Sequence, residues 1–135
     1  RATLNLHDSL HATVQRLAIA MEPDTVVFPH RHPQTFELLY PLRGRFLVLH
    51  FDDSGSITQR AMLGGDCAVI ENPAGQWHAV LSLDSGGVIF EVKQGPYVPV
   101  DEADTAAWSR TTDAAEARAL VAWYGSAQIG ERYAR

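Results

Sequence analysis

Short apolar-rich runs follow one another through most of this chain. Several alternate apolar with polar positions, the period expected when every second side chain of a strand faces a core. Eight such runs are read as strands: Thr13–Ala20, Thr25–Arg31, Phe36–Leu42, Arg45–Phe51, Ile57–Leu63, Cys67–Glu71, Trp77–Ser82 and Val88–Lys93. Between them stand turn formers, among them Glu22 to Asp24, Asp52 to Gly55, Gly64 to Asp66, Asn72 to Gly75 and Asp84 to Gly87. Strands and turns at this spacing predict an all-β sandwich or barrel. Pro41 cannot donate to a ladder and marks an edge or kink within its strand. Leu4 to His11 reads as irregular or edge-like.

After Tyr97 the pattern changes. A loop with acidic residues leads to Thr112 or Asp113, either of which can cap a helix running to about Tyr124, with Glu116 near the capping-box position. Leu120, Val121, Trp123 and Tyr124 supply its apolar face. That face is expected to pack on the barrel wall, with a homodimer contact as the alternative. Residues 125–135 are expected to be loosely ordered.

A chain of 135 residues fits one domain. Its barrel core is expected over about 13–97, with the C-terminal loop and helix over about 98–124. A content of 46% hydrophobic and 20% charged residues supports a core without staples, and the single cysteine, Cys67, excludes an internal disulfide. Cys67 lies in an apolar run and reads as a buried thiol. No apolar run approaches the ~18 residues of a membrane span. The chain opens at Arg1 rather than Met, which is compatible with a removed leader, while the lack of a disulfide framework points to the cytoplasm. A net charge of −5 argues against nucleic acid as partner.

The chemistry gathers around His30 and His32. Residues two apart on a strand share a face, about 6–7 Å apart, close enough for two imidazoles to meet one ion. Glu37 is out of phase with them unless the chain breaks step, and Pro33 predicts a bend between Pro33 and Thr35. His78 follows the turn at Pro73 to Gly75. Three imidazoles and a carboxylate suit Fe(II), Mn(II), Ni(II) or Zn(II). The pair alone would more often be incidental; the combined spacing carries the reading. His7 and His11 stand four apart, but no apolar helical stripe accompanies them.

His30, His32, Glu37 and Gly44, then Pro73, Gly75 and His78, resemble the two motifs of the cupin superfamily. Asp24 stands where that family usually has a glycine, and Ser82 where it has an asparagine. A narrower similarity is to the WbuC family of cupin-fold metalloproteins. It rests on Val14 to Leu17, Pro29 to Pro33, Phe51 to Asp53 and Phe90 to Tyr97, and extends from about Leu4 to Trp123. The resemblance implies a single-domain cupin, a double-stranded β-helix or jelly-roll barrel, with one metal ion. It also implies a bacterial setting that includes surface polysaccharide assembly.

Glu91 and Lys93 share one strand face, and on the inner face they would form an acid–base or anchoring pair beside the metal. The alternative is an exposed pair of little energetic consequence. Lys93 is the only lysine among eleven basic residues. Tyr97 is expected at the mouth, Gln76 beside His78, and Arg16 and Arg31 near the site as anion-binding candidates. Three functions follow: a metalloenzyme isomerising or epimerising a small oxygenated molecule such as a sugar or sugar phosphate, an Fe(II) dioxygenase, or a non-catalytic sugar- or metal-binding module.

Overall fold

A computed structural model describes residues 1–134. These residues form eight strands and one helix: β1 Ala2–Asn5, β2 Val14–Met21, β3 Glu37–Arg43, β4 Phe46–Phe51, β5 Ile57–Leu63, β6 Ile70–Asn72, β7 Trp77–Ser82, β8 Gly87–Gln94 and α1 Ala114–Ser126. They build two antiparallel sheets, one in the order β1-β2-β8-β3-β6 and one in the order β5-β4-β7. The sheets face each other as a sandwich. Among the described residues no continuous ladder closes them into a barrel; at the site an isolated bridge joins His30, which lies outside both sheets, to His78 of the smaller sheet. Among the described residues no helix is long and apolar enough to cross a membrane.

β4 explains the layering. All six of its residues are buried, the mark of a strand covered on both faces. Phe46 and Val48 enter the core between the sheets with Ile19, Leu39, Val80 and Ile89. Leu47, Leu49 and Phe51 alternate to the other face and meet Leu120, Val121 and Tyr124 of α1. The helix therefore packs on the smaller sheet as a third layer. Asp113 caps it, accepting from the amides of Ala115 at 2.7 Å and Glu116 at 2.9 Å. Glu116 turns instead to the Thr111 hydroxyl at 2.5 Å. Pro41 sits at an irregularity in the β3–β8 register between Pro41 and Arg43.

Three expectations are corrected. Thr25–Arg31 is not a strand. Pro29 has no amide to give a ladder, and the extended backbone there is held by other groups: Tyr124 Oη donates to the Val27 carbonyl at 2.9 Å, Ala106 N to Pro29 O at 2.8 Å and Arg31 N to Asp104 O at 2.9 Å. The edge strand β1, paired with β2 from Ala2↔Ala20 to Asn5↔Leu17, takes the eighth place. Cys67 lies outside β6 and is half-buried rather than core. The segment after the helix is tied down through residue 132. Ala127 is buried in the helix-side core, Ile57 N donates to Glu131 O at 2.9 Å, and Arg132 Nε reaches Ser56 Oγ at 2.7 Å.

Candidate metal centre

The interior between the sheets is apolar toward Phe46 and Leu63 and polar at its other end. Cross-strand register produces the polar end. Glu37 of β3 is the partner of Lys93 on β8 and of Asn72 on β6, and Lys93 is the partner of Gln15 on β2. One row across the larger sheet thus reads Gln15, Lys93, Glu37, Asn72. The next row places Leu17, Glu91, Leu39 and Ile70 side by side. On the smaller sheet His50 of β4 faces His78 of β7.

His30 reaches this point from outside the sheets. It exchanges two backbone bonds with His78, His30 N to His78 O at 3.0 Å and the reverse at 2.9 Å. The chain then turns at Pro33 and Gln34, with buried Thr35 receiving the Gln94 amide on its hydroxyl at 2.9 Å. This is the break in step that brings Glu37 inward, where it is buried.

Potential ligand nitrogens of His30, His32 and His78 lie within 4.8 Å of one another. Glu37 Oε1 is 3.3 Å from His32 Nε2, and Glu37 Oε2 is 2.9 Å from His78 Nε2. These are ion-pair distances, yet among the described residues neither nitrogen meets a partner with hydrogen-bond alignment. For His30 and His78 the other ring nitrogen shows which tautomer is present. His30 Nδ1 is 2.9 Å from the Phe28 carbonyl and His78 Nδ1 is 2.9 Å from the Gln76 carbonyl. A carbonyl only accepts, so each Nδ1 carries a proton and, in the neutral ring, Nε2 is a bare lone pair. Bare lone pairs gathered around a buried carboxylate call for a cation. The donor set fits a divalent transition metal, which would be held by the three imidazoles with Glu37 beside them.

Without a metal the rings differ: His30 is held neutral, whereas Glu37 draws a proton onto His78 that a metal ion would displace. Burial pushes His30 down to about 3, helped by the nearby His78 charge. Burial alone would raise Glu37, but the charge of His78 and contacts from His32 and His78 outweigh it and hold the carboxyl well below its usual range. Burial works against a charged His78, and Glu37 more than offsets it, so His78 is raised.

A cavity of about 570 Å³ opens beside these groups, with His30, His32, Glu37, Glu91, Lys93 and Tyr97 in its wall. Lys93 Nζ is 2.7 Å from Glu91 Oε1. Burial and the neighbouring Glu37 charge push Glu91 up to about 7, while Lys93 pulls it back. Lys93 itself is raised: burial opposes its charge, and Glu91 and Glu37 together prevail. Tyr97 is 45% exposed, which places it at the mouth.

Solved structures of similar shape identify the architecture. KdgF from Halomonas sp. is 14% identical, with 71% of this chain and 80% of that chain covered at a TM-score of 0.57. BH2720 from Bacillus halodurans is 22% identical, covering 66% and 70% at a TM-score of 0.56. A variant of oxalate decarboxylase from Bacillus subtilis is 19% identical over 70% of this chain at a TM-score of 0.54, and this chain spans 24% of its length. The chain has the cupin fold. At these identities the likeness to known cupins shows the fold alone. The family described as "Domain of unknown function (DUF6016)" matches residues 1–63. No curated protein sequence matches the chain.

Within this cupin, three expected substrate contacts lie away from the cavity wall. Arg31 Nε binds Asp104 Oδ1 at 2.8 Å and its guanidinium stacks 4.4 Å over the Trp77 ring, so it clips the loop before the helix. Gln76 Nε2 donates to the carbonyls of Phe51 at 2.9 Å and Trp77 at 3.0 Å. Arg16 points to the opposite face of β2, beside Ala12, Thr13 and Val14. Alternation along β2 accounts for this, since Gln15 and Leu17 are the inward neighbours.

Two polar residues near the site, His50 and Asn72, carry no role in the sequence reading, and a third, His7, enters it only through its spacing from His11. His50 Nε2 is 2.6 Å from Asn72 Oδ1, and Asn72 Nδ2 donates to Glu37 Oε2 at 3.0 Å. His7 lines the cavity, its Nδ1 2.9 Å from the Arg16 amide and its Nε2 without a partner among the described residues. Period-two phase with Phe46 and Val48 could have marked His50 as inward. For Asn72 and His7 no local signal exists; their placement follows from strand register.

Proposed function

We propose that this protein is a metal-dependent enzyme that moves a proton on a small oxygenated molecule, such as a sugar or sugar phosphate. The reaction is of the isomerase or epimerase type. The observation that supports this reading is the pair of buried Glu91 and half-buried Lys93 in the wall of the same cavity as His30, His32 and Glu37. A metal ion held by His30, His32, His78 and Glu37 would supply Lewis-acid polarisation of a substrate oxygen. Glu91, raised to about 7, is matched to taking up and returning a proton near neutral pH. Lys93 keeps the Glu91 carboxyl oriented and offers an N–H to an oxygen of the substrate. Tyr97 shields the mouth and slows entry of water. The resemblance of the motifs to the WbuC family supports a role in bacterial surface polysaccharide assembly.

The test is exchange. Metal-loaded protein is incubated in deuterated buffer with aldoses, ketoses, hexose phosphates and hydroxy acids, and NMR follows loss of carbon-bound hydrogen. Exchange on one class that disappears in Glu91→Gln, with metal content unchanged, is the expected result. Exchange equal in Glu91→Gln would reject Glu91 as the proton carrier. A second reading, an Fe(II) dioxygenase, is favoured by the apolar part of the cavity wall, which includes Leu17, Ile19 and Ile89. It requires oxygen consumption by the iron-loaded protein, which the first reading excludes.

A further inference from the structure

We propose that His50 is a positioning residue for the metal centre, acting through Asn72 to reserve one oxygen of Glu37 for the ion. This rests on Glu37 being a ligand. Asn72 Nδ2 lies 3.0 Å from Glu37 Oε2. A carboxylate only accepts, so the amide NH2 group faces Glu37 and the amide oxygen faces away. That oxygen meets His50 Nε2 at 2.6 Å, and the His50 ring donates there. The chain therefore has a direction: His50 to Asn72 to Glu37. Were the amide to flip, its oxygen would confront the carboxylate and its NH2 group would confront the His50 N–H, two repulsive contacts in a buried site.

Burial makes the arrangement binding. His50 is 5% exposed, Asn72 1% and Glu37 4%, so water cannot take over either bond. Strand pairing fixes the geometry as well. Asn72 is the direct cross-strand partner of Glu37, and His50 that of His78, so the chain spans both sheets.

The two carboxylate oxygens are thereby made unequal. Oε2 carries the Asn72 N–H and lies 2.9 Å from His78 Nε2. Oε1 faces His32 Nε2 at 3.3 Å without an aligned bond. Oε1 is the oxygen left for a metal. Ligation through one oxygen would keep free a coordination position that two-oxygen ligation would occupy, and that position would be available to a substrate.

The test uses Mn(II), which reports both affinity and coordination. Wild-type, His50→Leu, His50→Gln and Asn72→Ala proteins are stripped of metal, titrated with Mn(II) against a chelating indicator, and examined by EPR. His50→Leu is expected to weaken Mn(II) binding by about 10- to 100-fold and to alter the EPR fine structure. His50→Gln, whose amide can still donate to Asn72, is expected to stay within about threefold of wild type. His50→Leu with wild-type affinity and spectrum would overturn the proposal while leaving the metal reading intact. If His50→Leu fails to fold by circular dichroism, Asn72→Ala decides: a wild-type spectrum overturns the proposal and an altered one supports it. A wild-type protein that takes up no Mn(II) overturns both the proposal and Glu37 as a ligand.

Discussion

Replacing His78 by alanine separates a metal centre from a buried ion pair. His78 is 1% exposed, and its Nε2 sits 2.9 Å from Glu37. If three imidazoles and Glu37 bind one ion, free metal at 100 times its dissociation constant stabilises the folded state by about 2.7 kcal/mol. Unfolding entropy near 2.1 cal/mol/K per residue gives about 280 cal/mol/K for a chain of this size, so the melting temperature should rise by about 10 °C. The His78→Ala variant loses one ligand and leaves Glu37 without its closest positive neighbour. Its metal-free form is expected to melt lower than wild type, so the quantity to compare is the metal-induced difference. That difference should fall to nearly zero at the same metal concentration. Differential scanning calorimetry with and without metal, together with elemental analysis of dialysed protein, measures both terms. A variant that retains one metal per chain and the full upward shift would refute the ligand assignment.

Three further outcomes are expected. In metal-free protein His30 is held down to about 3 against an ordinary 6.5; between these values the unfolded chain binds a proton that the folded chain does not, so stability falls with acid through that window. Urea titrations of wild type and His30→Asn across pH 3–8 should show the variant losing less in that range, and equal losses would dismiss the effect. His78, raised by Glu37, contributes oppositely: its stabilisation is complete below 6.5 and is lost as pH rises through its raised value. Tyr124→Phe removes the 2.9 Å bond to the Val27 carbonyl, costing about 1–1.5 kcal/mol, or roughly 4–5 °C by calorimetry; an unchanged melting temperature would show that the bond adds nothing. Gly55→Ala combines a backbone φ of +83° with a Cβ only 2.8 Å from Trp108 Nε1, and a loss of roughly 2 kcal/mol or more is expected from denaturant melts.

What the sequence made legible depended on how local the cause was. Period-two alternation located seven of the eight strands because each buries a face, and Thr112 or Asp113 announced α1 through a cap that needs only adjacent amides, Asp113 being the one that forms it. The Thr25–Arg31 expectation failed because its apolar residues are extended without a ladder; their carbonyls and amides are satisfied by Tyr124, Ala106 and Asp104, all distant in sequence. Likewise β1 carries four exposed residues, so no burial pattern signals it. His30, His32 and His78 could be grouped from spacing. Arg16 and Arg31 were drawn in by sequence proximity, which alternation and the Asp104 ion pair override. The Asn72 partnership is a matter of register between β3 and β6, and register is decided by the whole sheet.

Because β4 divides its side chains between two interiors, the C-terminal helix is a structural wall and no mere appendage. Cutting the chain before Ala114 would lay bare Leu47, Leu49 and Phe51 together with Leu81, a sticky sheet surface of the kind that drives aggregation. The same strand carries His50 on its other side, so disorder among those leucines would travel one residue to reach it. Expression of a minimal β fragment should thus yield insoluble material, and deletions meant to trim the molecule ought to spare everything through Ala127.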